Sequence, residues 1–175
     1  MARQLWLLRH AEAEPHGARE DSERRLTTRG EEQALAAGAA LGRLGVEFDA
    51  ILCSPKVRSR QTLDLAAQDW GQDQRERIAE HAPLAGGFDA RQALDAFAGV
   101  ASDTGRARLL LVGHEPDFSQ IVAELTGARI DLKKGGVAVV RLEGVGSELA
   151  LLLRPHELAL IAGVALAAAA PAGRD

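Results

Sequence analysis

Leu5-Trp6-Leu7-Leu8-Arg9-His10 is a run of four apolar residues that stops at a cation and an imidazole. The chain repeats this grammar twice. Ala50-Ile51-Leu52-Cys53 leads through Ser54-Pro55 to Arg58, and Leu109-Leu110-Leu111-Val112 ends in Gly113-His114. A short apolar run without alternation fits a strand covered on both faces, at the centre of a sheet. Helical patterns follow each run. Thr28 and Glu31 have capping-box spacing, and Ala34, Gly38, Leu41 and Gly45 recur on a narrow small-residue face that predicts close packing. Pro55 stands where a first helical residue would, with the helix running through Leu63 and Ala66 to about Gly71. Phe118, Ile121, Val122 and Leu125 fall at i, i+3, i+4 and i+7, and Gly127 is placed to end that helix.

Between residues 71 and 106 the pattern loosens, with Gly86-Gly87 as a turn and residues 91–100 as a short helix. Residues 137–142 and 149–153 read as two strands joined by a Gly-containing turn. Strands alternating with helices predict a layered α/β domain with a largely parallel sheet. One domain is expected over residues 1–165. The alanine-rich apolar stretch at 158–170 reads as a terminal helix running into a flexible tail over 166–175.

Composition narrows the function. The 175 residues carry a formal net charge of -4, which provides no basic field for holding nucleic acid. The 13-residue stretch at 158–170 is short of the ~20 residues that cross a bilayer, so no membrane association is expected. A single cysteine, Cys53, rules out an intrachain disulfide and suits a reducing compartment. The four-residue apolar run after Gln4 is too short for a signal-peptide core. The expectation is a cytoplasmic protein.

In open α/β sheets the ligand crevice lies beyond the carboxyl ends of the strands. Arg9, His10, Arg58 and His114 would meet there. Guanidinium forks match the oxygens of a phosphoryl group in shape and charge. An imidazole neutral near pH 7 can attack phosphorus through one ring nitrogen and form a covalent phosphoenzyme that water later opens. A second imidazole, if protonated, stabilises the charge on the transferring group. Neighbours on a regular strand point to opposite faces, so the backbone must turn for Arg9 and His10 to share one pocket.

Taken together, Leu8-Arg9-His10, Leu26-Thr27-Thr28 with Gly30, Ser54-Pro55 with Arg58 and Gln61-Thr62, and Gly113-His114 with Pro116 resemble the histidine phosphatase superfamily, in its short SixA-type phosphohistidine phosphatase branch. The resemblance spans residues 5–153. It implies a three-layer α/β/α sandwich of phosphoglycerate mutase-like type, with a mostly parallel mixed sheet whose antiparallel strand comes from residues 137–153. It also implies that His10 is the phosphorylated nucleophile, that Arg9 and Arg58 bind the phosphoryl oxygens, and that His114 completes the pocket. No cofactor is implied. Larger members have Arg-His-Gly where this chain has Ala11, which keeps a small residue. Members that cleave esters protonate the departing alkoxide with an acid from the middle region. Glu80 and Asp89 lie in that region but in no matching motif, which argues for an N–P substrate with a better leaving group. The expected partner is a protein bearing phosphohistidine, or another phosphorylated substrate. The rivals are a small-molecule phosphomonoesterase using Glu80 as acid, and a non-catalytic phosphohistidine-binding module.

Other residues have plainer readings. His10, Glu12, Glu14 and His16 are dense enough to suggest a metal site, but Pro15 interrupts them and no helical spacing supports one, so no metal is expected. Four residues lie between Cys53 and Arg58, one short of a cysteine-phosphatase loop, so Cys53 reads as a buried strand residue. Lys133-Lys134 reads as a solvated pair, the alternative being contact with an acidic partner surface. His81 and His156 belong to no constellation.

Overall fold

The three apolar runs are strands, and they lie side by side. The structure, a computed structural model, describes residues 3–100, 106–143 and 146–167. In chain order the elements are β1 (Arg3–Arg9), α1 (Thr28–Arg43), β2 (Ala50–Cys53), α2 (Val57–Ala66), α3 (Gln72–Arg75), β3 (Ile78–Glu80), α4 (Ala90–Ala98), β4 (Arg108–Gly113), α5 (Asp117–Thr126), β5 (Val137–Glu143), β6 (Gly146–Leu153) and α6 (Pro155–Ala162). They form one six-stranded sheet in the order β3-β2-β4-β1-β5-β6. The first four strands run parallel, and β5 is antiparallel to both of its neighbours. This is the mixed sheet expected, in a single α/β domain.

Alternate residues of the central strands feed two cores. Trp6, Leu8, Ile51, Cys53, Leu110 and Val112 pack with Leu41, Leu63, Trp70 and Leu158 on one face. Leu5, Leu7, Leu109 and Leu111 pack with Phe97, Phe118, Ile121 and Val122 on the other. Helices α1, α2 and α6 therefore cover one side and α4 and α5 the other, a three-layer sandwich. Burial on both faces is why these strands read as unbroken apolar runs.

Several boundaries differ from the sequence expectation. Helix α1 is capped by Thr27, not Thr28: the Thr27 hydroxyl accepts the Gly30 N–H at 3.1 Å. Helix α2 starts at Val57 rather than Pro55, because Ser54 is still on the sheet ladder, its N–H donating to the Val112 carbonyl at 2.9 Å. It ends at Ala66, before Gly71, and the chain then turns so that the Trp70 ring meets Phe48 at 5.7 Å. Strand β3 was not expected; it has three residues at the sheet edge and too few apolar positions to show a period. Helix α4 begins one residue early, capped by Asp89, whose carboxylate accepts the Gln92 N–H. Gly163, at φ 69, ends α6; residues 168–175 of the expected tail lie outside the described residues. No helix among the described residues is long and apolar enough to cross a membrane.

The small-residue face of α1 packs as closely as expected. A Cβ on Gly38 would lie 1.9 Å from the Ala66 carbonyl oxygen of α2, and the obstacle is backbone, which cannot rotate away. Gly38→Ala should force α1 and α2 apart and destabilise by about 1–3 kcal/mol, after the gain in helix propensity is offset. A thermal melt should fall by roughly 3–10 °C, and an unchanged melting temperature would refute this packing.

Candidate active site

The carboxyl ends of β1, β2 and β4 bring all four sequence-predicted residues to one cleft of about 400 Å³. The turn required after Arg9 is present. Strand β1 stops at Arg9, and the Gly135 N–H bridges the carbonyls of Arg9 and His10 at 3.1 and 3.0 Å. The His10 N–H then donates to the Gly113 carbonyl at 3.0 Å. Gly135 has φ 75, a left-handed conformation that glycine adopts without strain.

The His10 ring is fixed in one tautomer. Its Nδ1 lies 2.8 Å from the Ala11 carbonyl oxygen, which can only accept, so Nδ1 carries the proton and Nε2 keeps its lone pair. Arg58 Nε donates to that Nε2 at 3.2 Å. The His10 and His114 rings are 5.2 Å apart. His114 Nε2 bonds the Ser54 hydroxyl at 2.8 Å, while its buried Nδ1 has no hydrogen-bond partner among the described residues. Arg9 donates through Nη1 to the Leu132 carbonyl at 2.7 Å, and its buried Nε has no hydrogen-bond partner among the described residues.

Burial above all, with the fields of His114, Arg58 and Arg9, pushes the His10 pKa down to about 3, against the opposing hydrogen bond to Ala11. Burial, followed by Arg58 and Lys56, brings His114 down to about 3 as well. His10 is therefore neutral near pH 7. The same burial and cations favour the neutral ring of His114.

Three cleft residues escaped the sequence reading. The Asp21 carboxylate accepts from Lys56 Nζ at 2.8 Å, from Arg24 Nη2 and Nε at 2.9 and 3.1 Å, and from Arg58 Nη2 at 3.2 Å. Its carbonyl takes Arg58 Nη1. Lys56, Arg24 and Arg58 hold the carboxyl well below the usual carboxylate range, although burial opposes them. The signal available was Asp21-Ser22-Glu23-Arg24 just ahead of Leu26-Thr27-Thr28, and Lys56 inside the Ser54–Arg58 motif.

The two candidate acids from the middle region do not line this cleft. Glu80 is exposed on β3 and Asp89 caps α4. Glu115 lines the cleft instead, half-buried, and burial raises its pKa above the usual carboxylate value. Glu14 and His16 also line the cleft, while Glu12 does not: Glu12 accepts from Thr27 at 2.9 Å, Glu14 pairs with Arg19 at 2.9 Å, and His16 is 3.9 Å from Asp21. Cys53 is buried and its thiol is pushed up to about 12, mainly by that burial, so it supplies no thiolate at neutral pH.

The family model of the histidine phosphatase superfamily (branch 1) matches residues 5–83. A phosphohistidine phosphatase SixA homolog from Haemophilus influenzae is 30% identical over 152 residues, covering 83% of this chain and 92% of that protein. The chain belongs to the histidine phosphatase superfamily. Within that superfamily it falls in the SixA-type branch. The protein histidine phosphatase SixA complexed with tungstate matches it with TM-score 0.74 and 25% identity, over 89% of this chain and 99% of that one. An alpha-ribazole phosphatase from Shigella flexneri shares the fold, with TM-score 0.65 and 19% identity over 87% of this chain and 96% of that one. Membership of the superfamily indicates a phosphatase, a hydrolase.

The two depressed imidazoles make stability depend on pH. Both pKa values lie below the unfolded value, so between about pH 6.5 and 3 the unfolded chain binds protons that the folded chain does not, and stability falls as pH drops. Urea melts of the ligand-free protein should lose stability from pH 6.5 to 5, above the range of ordinary carboxylates, approaching about 1.4 kcal/mol per imidazole per pH unit at the lower end. His10→Asn with His114→Asn should flatten that slope; an equal slope in the double variant would contradict the buried neutral pair.

Proposed function

We propose that this protein hydrolyses the N–P bond of phosphohistidine on another protein through a phospho-His10 intermediate. The observation that carries the reading is the fixed tautomer: Nδ1–H of His10 donates to Ala11, leaving the Nε2 lone pair in the cleft 3.2 Å from Arg58 Nε. In the first step Nε2 forms a bond to phosphorus as the substrate's N–P bond breaks, and the leaving imidazole departs with its electron pair. Nδ1–H need not move, and its hydrogen bond to Ala11 stabilises the phosphoimidazolium. Water then attacks phosphorus, the bond to Nε2 breaks, and inorganic phosphate leaves with His10 neutral again. Arg9 and Arg58 hold the equatorial oxygens, and the transferring anion raises the proton affinity of His114 beside it.

The branch to which this chain belongs supports that substrate, since it includes a phosphohistidine phosphatase SixA homolog. So does the placement of Glu80 and Asp89 away from the cleft, because an alkoxide leaving group needs a proton that an imidazole does not. His10→Ala should lower turnover at least about 10³-fold with little change in stability, since His10 borders the cleft rather than the core. Rapid quench with labelled substrate should trap acid-labile label on His10 of the wild type. A non-catalytic binding module would never show it.

The phosphomonoesterase reading has one observation in its favour, Glu115, a cleft carboxyl with a raised pKa. Glu115→Gln should change phosphohistidine hydrolysis less than about threefold. A loss of 10²-fold or more confined to an alkyl phosphate ester, in a wild type that prefers that ester, would replace the phosphohistidine assignment.

A further inference from the structure

A second cavity, of about 520 Å³, opens beside the phosphoryl cleft. Arg9 and Lys134 line both, so the two spaces share a wall. Arg29, Lys133 and Arg154 complete the cationic lining of the second, and no carboxylate is among its lining residues. Four acids reach the rim: Glu12 lies 3.9 Å from Arg29 Nε, Asp131 pairs with Lys133, Glu32 accepts the Ala167 N–H at 2.9 Å, and Glu157 accepts the Arg154 N–H at 2.8 Å. The side-chain cations of Arg9, Lys134 and Arg154 have no carboxylate within 4.0 Å among the described residues, although Asp131 acts on Arg9 and Arg154 from farther away and Glu115 acts on Arg9. On a chain whose net charge is -4, this is a local reversal of sign held against the site of chemistry.

The spread of the cations decides what fits. A lone phosphate is bound by donors converging within one hydrogen-bond shell, as in the neighbouring cleft, where Arg58 is 4% exposed. Here the charges come from the end of β1, the first turn of α1, the loop before β5 and the residue preceding α6. Lys133 is half exposed and Arg154 is exposed. Dispersed, solvated cations suit several carboxylates on one flexible chain, and they steer such a chain as it approaches. Because Arg9 borders both spaces, a polypeptide with its phosphorylated side chain at His10 would lay its flanking residues here.

We propose that this cavity is a substrate subsite for Asp and Glu side chains that flank the phosphorylated histidine of the partner protein. The proposal rests on the phosphohistidine reading above. It also takes up the acidic-partner alternative for Lys133-Lys134.

The test uses the full chain, wild type and Lys133→Gln/Arg154→Gln, with two phosphohistidine peptides of equal length, one flanked by Asp and Glu and the other by Asn and Gln. The wild type should favour the acidic peptide about tenfold or more in kcat/KM, carried by KM, and the preference should shrink between 50 and 300 mM salt, roughly as screening demands. The double variant should lose the preference while its rate on the neutral peptide stays within about twofold. Equal losses on both peptides, or a preference that survives the substitutions, would overturn the subsite. Binding of the unphosphorylated acidic peptide, followed by calorimetry with pyrophosphate as competitor, needs no turnover and so separates the two proposals. If that binding is lost in the double variant while wild type leaves phosphohistidine intact, the subsite stands and the substrate assignment falls. Pyrophosphate binding at Lys133 and Arg154 without peptide binding would make the occupant a small anion and overturn the proposal.

Discussion

Everything at the cleft depends on how the backbone leaves β1. On a regular strand Arg9 and His10 would diverge to opposite faces of the sheet. The strand instead stops at Arg9, and the Gly135 N–H holds the carbonyls of both residues while Gly113 takes the His10 N–H. Three segments distant in sequence thus set one bend: the strand end, the end of β4 that carries His114, and the loop into β5. The left-handed glycine at 135 is part of this arrangement, since a Cβ there would meet the Gln33 side chain at 3.1 Å as well as strain the backbone.

The bend places two imidazoles among guanidiniums away from water, and the electrostatics follow. Neutrality is the low-energy state for both rings because burial and nearby cations disfavour a further positive charge. The cations need an anion as well. Asp21 supplies it in the free protein, joining Arg24, Lys56 and Arg58. His10 and the arginines proposed to clamp the phosphoryl group are consequently one electrostatic unit. Removing a charge from any member alters the proton affinity of the others, so single substitutions here should not be additive.

The sheet was legible because its central strands are buried on both faces, and burial leaves an apolar run that composition alone reveals. Of the residues placed in the proposed reaction, Arg9, His10 and His114 were legible because they stand where such a run ends, and Arg58 because it follows one through Ser54-Pro55. Strand β3 and the true cap of α1 were not. Ile78-Ala79-Glu80 has no period to read, and Thr27 rather than Thr28 is held at the cap by tertiary contacts, its N–H donating to the Glu12 carbonyl and its hydroxyl to the Glu12 carboxylate. Asp21 and Arg24 escaped because they sit in a loop with no periodicity, and Lys56 because a lysine beside Arg58 looks like any exposed helix start. Their meeting is visible only once the single helical turn at Asp21–Glu23 folds over the start of α2.

Arg58 links these layers. Its outer nitrogens are held by Asp21, while Nε donates to the Nε2 lone pair of His10, the proposed nucleophile. A hydrogen bond to that lone pair lowers its nucleophilicity, so the resting cleft guards its own imidazole. In the proposed reaction a phosphoryl oxygen, carrying more negative charge than a ring nitrogen, is the stronger acceptor for Nε. Arrival of the substrate then frees Nε2 at the moment phosphorus comes within reach, and Arg58 keeps its anchor on Asp21 throughout. Clamping and activation are on this account the same displacement, driven by exchanging one acceptor for a better one.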